Sequence, residues 1–343
     1  MEKVKIIVAV SSQLYFASEV EVQCHNFRKF GFSSLLQVIV YDNEESEDFM
    51  KYWTELAIRY TEVEFFFYKI ESIKNLVKVY ASVSRPYILA EHWKQYPELV
   101  YYTIIYLDSD VLFTRKLDFT PYLQDKICYL SRTNYINSDY FKSKRNDVLT
   151  FRLPEYDQID VLQEFCNVVG ISKEIVEENV DKTGGCQCIL KEITADFWKD
   201  LAKDCLNIFN LSRSLNQRFF SKEERGFQSW ALGDMCGLLW NLWKRGKQTS
   251  CPPELGFSWA DAEIEMYDKH PFFHNAGSLK KDDYRNGKKQ KFFCKTDIRF
   301  RSNTLTFFDL EYKDISTETC SFKYVEAIKE VPNPICKTNT LLY

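Results

Sequence analysis

The chain has 343 residues, enough for one large α/β domain or for such a domain with an elaborated C-terminal part. Hydrophobic residues make up 45% and aromatic residues 16%, which excludes a disordered or low-complexity chain and suits a globular protein with a broad ligand cleft. A formal net charge of -4 argues against a strongly basic nucleic-acid binder while leaving room for a local basic surface.

The 11 cysteines form no CxxC pair; Cys186 and Cys188 make only a C-x-C with no matching Cys/His pair nearby. A zinc site is therefore not expected, and the thiols read as reduced and buried, in a reducing cytosol. The first apolar run, Val4 to Val10, is too short for a signal segment, and no later run reaches the roughly 18 apolar residues of a membrane span. The expectation is a soluble cytoplasmic protein with no membrane insertion.

Val4 to Val10 is β-branched and apolar, as a buried parallel strand is. A helix follows from Ala17 to Phe30, closed by Gly31. Leu35 to Tyr41 reads as a second buried strand ending at Asp42, Glu45 to Arg59 as a helix, and Val63 to Tyr68 as a third strand. Lys74 to Tyr96 is mostly helical, with a break at Ser84-Arg85-Pro86. Thr103 to Leu107 is a fourth strand running into Asp108-Ser109-Asp110. Four alternations of strand and helix predict an α/β fold with a doubly wound, mostly parallel sheet, whose ligand site lies beyond the carboxyl ends of the strands. No G-x-G-x-x-G follows the first strand, so a dinucleotide fingerprint is absent.

Further on, Phe141 to Tyr156 is charged and reads as loop, and Ile159 to Val168 as helix. Cys186 to Leu190 is a short strand behind Gly184-Gly185. Thr194 to Phe209, Glu224 to Trp243 and Thr319 to Ile328 read as helices. There is no internal repeat and no linker, so a single domain is expected.

The strongest chemical signal is Ile104-Ile-Tyr-Leu-Asp108-Ser109-Asp110-Val-Leu-Phe. Two carboxylates one residue apart, set on a turn behind an apolar strand, offer hard oxygen ligands that suit Mn²⁺ or Mg²⁺. Asp110 is the direct ligand; Asp108 either joins it or holds a ribose. The alternative is a pair of solvated turn aspartates. A second signal is Phe272-Phe273-His274-Asn275-Ala276-Gly277-Ser278-Leu279-Lys280. It supplies an imidazole for the same metal, a glycine for close backbone approach and a lysine for phosphate; taken alone, His274 reads equally as a core histidine.

Together these two segments resemble the GT-A sugar transferases typified by glycogenin and the bacterial lipopolysaccharide galactosyltransferases. There, a D-x-D and an H-x-x-G-x-x-K hold the metal and the donor diphosphate. The resemblance implies those roles for Asp108, Asp110, His274, Gly277 and Lys280. The Pro-Trp that follows the lysine in that family is replaced by Lys281-Asp282, which leaves subfamily and stereochemistry open. Gly184-Gly185-Cys186-Gln187 also resembles the Gly-Gly-x-Gln of the hydroxyproline arabinosyltransferase and peptidyl-serine galactosyltransferase group. The likeness spans residues 1–295, taken as a GT-A domain, with 296–343 as a C-terminal extension packed on it.

The implied activity is metal-dependent transfer of a sugar from a nucleotide diphosphate sugar, UDP by resemblance, to an acceptor hydroxyl. Gln187 is a candidate for bonding sugar hydroxyls, and Gly184 and Gly185 for close approach to a ligand; the plainer reading is a loop turn feeding a strand. Asp234 is the acidic residue that the resemblance sets facing sugar or acceptor, and the base to test if the reaction inverts. Arg85 is a candidate for the diphosphate, and Tyr15 and Asp42 for the nucleoside pocket. A nucleotidyltransferase is the first rival, although Val10-Ser-Ser-Gln-Leu-Tyr15 lacks the phosphate-loop glycines. A non-catalytic carbohydrate-binding protein is the second.

The leading acceptor expectation is a 5-hydroxymethylpyrimidine in phage DNA, the cytoplasm then being that of the host cell. A surface-glycan precursor and a protein side chain are the alternatives. The DNA expectation rests on Lys280, Lys281, Arg285, Lys288, Lys289, Lys291 and Lys295, a run that otherwise reads as a solvated loop, with the further cations Lys142, Lys144 and Arg145. The aromatic content would suit a flipped base.

Overall fold

The computed structural model describes residues 3–42, 47–133, 136–143, 155, 158–220, 226–276, 282–285, 288–295 and 305–335, without the side chains of 47–48, 142–143, 186, 230, 282–285 and 288. In chain order the elements begin with β1 (Val4–Ser11), α1 (Leu14–Phe30), β2 (Leu36–Tyr41), α2 (Glu47–Arg59), β3 (Glu64–Tyr68), α3 (Lys74–Val79), α4 (Ser84–Gln95), β4 (Thr103–Leu107) and β5 (Val111–Phe113). They continue with β6 (Cys128–Arg132), α5 (Ser138–Ser143), α6 (Val161–Val169), α7 (Lys173–Glu178), β7 (Gly184–Leu190), α8 (Ala195–Phe219), α9 (Ser229–Lys244) and β8 (Thr249–Ser250). The last are β9 (Phe257–Trp259), β10 (Phe272–His274), β11 (Asp282–Arg285), β12 (Lys288–Lys291) and α10 (Ser321–Glu330).

The protein is a mixed α/β fold with a mostly parallel central sheet flanked by helices. The chain divides into two compact units. One comprises Met1–Val4, Ile70–Tyr106 and Thr120–Pro253; the other comprises Lys5–Lys69, Leu107–Phe119 and Glu254–Tyr343.

In the second of these, β1, β2 and β3 pair in parallel in the order β3-β2-β1, with Val8 opposite Val38 and Val38 opposite Phe65. The apolar runs that predict these strands are apolar because β1 and β2 are buried almost throughout. Helix α1 ends where expected, on Gly31 in the left-handed region (φ 78°), a conformation that costs a residue with a Cβ more than glycine. A smaller sheet, β5-β10-β9, pairs β10 antiparallel to β5 and parallel to β9. Around it lies a core of Val22, Leu112, Phe273, Phe293, Phe307 and Tyr324, completed by Val325 and Ile328 of α10.

The other unit carries the strand order β4-β7-β6-β8. Here β7 runs antiparallel to β6, and β8 runs parallel to it. The break expected at Ser84-Arg85-Pro86 is the start of α4: Pro86 lies in its first turn, where its missing N–H would have had no intrahelical partner. Helix α8 runs ten residues beyond the expected end at Phe209, to Phe219. Its last turns keep a buried face through Ser212, Leu215, Asn216 and Phe219. Gly184 and Gly185 lie inside β7 rather than in a loop before it.

Among its apolar buried residues α1 also buries polar ones: Ser18, Glu19, Glu21, Gln23 and Asn26. Two of these side chains hold backbone. The Gln23 amide donates to the carbonyls of Asp108 and Val111, each at 2.9 Å. Asn26 donates to the Phe113 carbonyl at 3.0 Å and accepts the Phe113 N–H at 2.9 Å, as a neighbouring strand would. Replacing Gln23 by leucine leaves two inward carbonyls without that donor. We expect Gln23→Leu to lose about 2 kcal/mol or more of stability, the scale of stranding buried acceptors, read as a lower urea midpoint at unchanged m-value. A midpoint equal to wild type would mean that other donors reach these carbonyls.

Candidate metal centre

Strand β4 is wholly buried and ends at Leu107, after which Asp108-Ser109-Asp110 turns the chain into β5. The turn is closed by the Val111 N–H donating to the Asp108 carbonyl at 3.2 Å. From the far end of the sequence, β10 pairs antiparallel with β5, so that Phe272 faces Phe113, Phe273 faces Leu112 and His274 faces Val111. The pairing continues one residue further: the Asn275 N–H donates to the Asp110 carbonyl at 3.0 Å. This register brings the imidazole to the carboxylates.

His274 Nε2 lies 3.2 Å from Asp110 Oδ1 and 3.6 Å from Asp108 Oδ2. One donor atom from each of the three side chains falls within 4.8 Å of the others. Asp110 and His274 are buried, whereas the Asp108 side chain is 25% exposed and gives the site its open side. The His274 ring stacks on Trp259 of β9, its register partner, with centroids 5.4 Å apart and planes at 21°.

Two further charged groups complete the cluster. Lys295 makes an ion pair with Asp110 Oδ2, and its Nζ lies 3.6 Å from Glu19 Oε1. Glu19 accepts a hydrogen bond from the Ser109 hydroxyl through Oε2, and Tyr15, in the first turn of α1, also bonds it. Burial raises the Glu19 carboxyl above its ordinary value, against the pull of Lys295. Burial acts the same way on Asp110, but the Lys295 ammonium and His274 outweigh it and hold that carboxyl far below the usual range. Asp110 is thus ionised across the working pH range.

Glu19 was not singled out from sequence. Its signal is an acidic residue on the helix face that otherwise packs inward, visible only once the burial of α1 is known. In sequence Lys295 is one of the basic run expected either to face phosphates or to be a solvated loop; in the structure it pairs with Asp110.

Other expected residues are placed as follows. Gly277 and Lys280 lie outside the described residues, as do Lys281, Lys144 and Arg145, and the side chains of Lys142, Arg285 and Lys288. Asp42 closes β2, its N–H donating to the Tyr68 carbonyl at 2.9 Å. Arg85, in the first turn of α4, and Asp234, on α9, form an ion pair with each other. Gln187 is buried on β7. At Gly184 a Cβ would stand 2.5 Å from the Ser131 carbonyl oxygen and 2.6 Å from Leu130 Cβ; at Gly185 it would meet the Met235 side-chain end at 2.5 Å. The space at Gly184 is taken by strand β6.

No family model matches the chain, and no curated protein does either. Solved structures similar to it carry glycosyltransferase names. The bifunctional glycosyltransferase WbbM in its apo form matches with a TM-score of 0.44 and 10% identity, over 82% of this chain and 47% of that one. The chain thus spans about half the length of that protein. The galactosyltransferase LgtC, in complex with donor and acceptor sugar analogues, matches with a TM-score of 0.40 and 12% identity, over 87% of this chain and 94% of that one. Mouse xyloside xylosyltransferase 1, apo form, matches with a TM-score of 0.38 and 10% identity, over 80% and 97%. At these values, what the chain can do has to follow from its own residues.

The two glycines separate by what surrounds them. Gly184→Ala should cost about 1–3 kcal/mol, because backbone and a neighbouring Cβ must move. Gly185→Ala should cost less than about 1 kcal/mol, because a methionine end yields. Thermal melts of both variants check this; equal losses would show that the two positions are not distinguished by packing.

Proposed function

We propose that the chain is a metal-dependent glycosyltransferase that moves a sugar from a nucleotide diphosphate sugar, UDP by resemblance, to an acceptor hydroxyl. The observation that carries this is the convergence of Asp108, Asp110 and His274, from two segments far apart in sequence, on one partly open point. Two carboxylate oxygens and one imidazole nitrogen fit Mn²⁺ or Mg²⁺, with positions left for ligand oxygens. When bound, such an ion neutralises the charge that develops on a departing nucleotide diphosphate.

The remaining roles belong to the protein's own groups. Asp110, buried and ionised, anchors the ion, and Asp108, on the open side, faces the donor. His274 would serve as a ligand through Nε2, with its ring stacked on Trp259. Gly277 and Lys280 stand for the diphosphate, by resemblance. Arg85, Gln187 and Asp234 remain candidates for the donor sugar or acceptor, and Tyr15 and Asp42 for the nucleoside.

The test is incubation with Mn²⁺ and a panel of nucleotide sugars, following the released nucleotide. Release of UDP, lost in chelator and lowered by about two orders of magnitude in Asp110→Asn, is the expected result; removing a group that stabilises transition-state charge acts on that scale. Release of pyrophosphate from a nucleoside triphosphate would turn the reading to nucleotidyl transfer. Full activity of Asp110→Asn in chelator would overturn the metal role.

For the acceptor, we take a 5-hydroxymethylpyrimidine in duplex DNA as the first to test. Fewer cations are available for a phosphate backbone than the sequence suggests. Lys295 is engaged with Asp110, and Lys291 pairs with Asp314 at 3.3 Å. Mass spectrometry of nucleosides from DNA treated with enzyme, Mn²⁺ and donor should show a pentose or hexose on the hydroxymethylated base and none on cytosine. No adduct with any donor turns the acceptor to a glycan or a protein hydroxyl.

A further inference from the structure

Asp110 works through its two oxygens in different directions. Oδ1 is 3.2 Å from His274 Nε2, the atom that Asp108 Oδ2 approaches to 3.6 Å. Oδ2 is held by the Lys295 ammonium. The same ammonium lies 3.6 Å from Glu19 Oε1, a buried atom with no hydrogen-bond partner of its own. The other Glu19 oxygen accepts the hydroxyl of Ser109, the residue between the two aspartates. Glu19 and Lys295 therefore grip the middle and the end of the Asp-Ser-Asp turn from behind.

Three carboxylates and one ammonium meet around this turn, and carboxylates gathered about one point attract a cation. A like charge one carboxylate away opposes an incoming cation and lowers its affinity.

We infer that Lys295 is the built-in counter-ion of the metal site: it keeps Asp110 Oδ2 out of the metal's reach, leaves Oδ1 for the ion, and with Glu19 sets the site's affinity for a divalent cation. Lys295 is a positioning residue, acting through Asp110. This rests on the metal reading above and deepens it.

The test titrates the full chain with Mn²⁺ in the absence of nucleotide, following free Mn²⁺ by its electron paramagnetic resonance signal, with folding checked by near-ultraviolet circular dichroism. Lys295→Met removes the opposing charge and should bind Mn²⁺ about tenfold tighter or more. Glu19→Gln keeps an acceptor for Ser109 but removes an attracting charge, and should bind about tenfold weaker. Lys295→Arg should stay within about threefold of wild type, because its charge is retained. A residue that only props up the fold would weaken binding in both neutralised variants, so the opposite signs are the signature. If Lys295→Met does not fold, a weaker Glu19→Gln beside an unchanged Lys295→Arg carries the result. Wild type binding Mn²⁺, with folded Lys295→Met no tighter or Glu19→Gln unchanged, overturns the counter-ion role and leaves the metal reading standing. No binding to wild type and Lys295→Met alike overturns both.

Discussion

The structure around the candidate site depends on a pair of buried carboxamides. Strand β5 is only three residues long, and β10 satisfies one of its edges. Its other edge meets a helix, and a helix has no backbone groups to spare for a strand. Inward N–H and C=O groups left there would each carry the cost of burial without a partner. Gln23 and Asn26 supply the missing donors and acceptor from α1, and Asn26 does so in both directions, as a strand ladder would. The polar face of α1 is thus a continuation of the sheet by side chains. With that backbone fixed on both edges, the aspartates that precede β5 cannot drift relative to the helix that carries Glu19.

That fixation makes the electrostatics tolerable. Carboxylates close together repel one another, and burial disfavours the ionised form of Glu19 and Asp110. The cluster resolves the conflict by giving its members different partners. Asp110 has Lys295 on one oxygen and His274 on the other, and these overcome its burial. Glu19 is as deeply buried, shares the ammonium at a longer distance, and is pushed upward. Asp108 is partly exposed and lies 3.6 Å from His274 Nε2. One environment fixes the charge of the inner aspartate, another leaves a balancing group, and a third keeps the outer aspartate accessible.

Much of this was legible in the sequence, and what was not has a common cause. The first four strands and the helices between them could be read because β-branched runs and amphipathic stretches report burial directly. The aspartates and His274 could be read because polar ligands at the end of apolar runs are unusual. Buried polar residues on a helix leave no such trace. In sequence, Glu19, Gln23 and Asn26 look like an exposed helical face, and only the position of β5 shows that they are not. The basic run hides a buried member for the same reason: nothing local in the sequence marks Lys295 as turning toward Asp110 and Glu19. Gly184-Gly185 reads either as a ligand-facing turn or as a turn feeding a strand; both glycines lie in β7, and the close neighbour of Gly184 is β6.

Register decides whether the imidazole reaches the aspartates at all. Side chains alternate faces along a strand, so a slip of one residue in β10 would exchange His274 for a phenylalanine on the aspartate side. A three-residue strand has few ladder bonds to resist that, and the structure adds others. Thr114 N–H donates to the Pro271 carbonyl at 3.0 Å, and the Asn275 N–H to the Asp110 carbonyl at 3.0 Å, one beyond each end of the pairing. Phe273, which faces away from the ligands, is seated in the core with Phe293 and Tyr324, and a slip would pull it out. Burying a side chain of that size stabilises by about 1.5–3 kcal/mol, so the wrong register loses that term as well as the hydrogen bonds. The bond from Asn275 ends on the backbone of Asp110 itself. The spacing between imidazole and carboxylate is therefore set by the ladder, before either side chain chooses a rotamer, which is how residues so distant in the sequence can hold one ion.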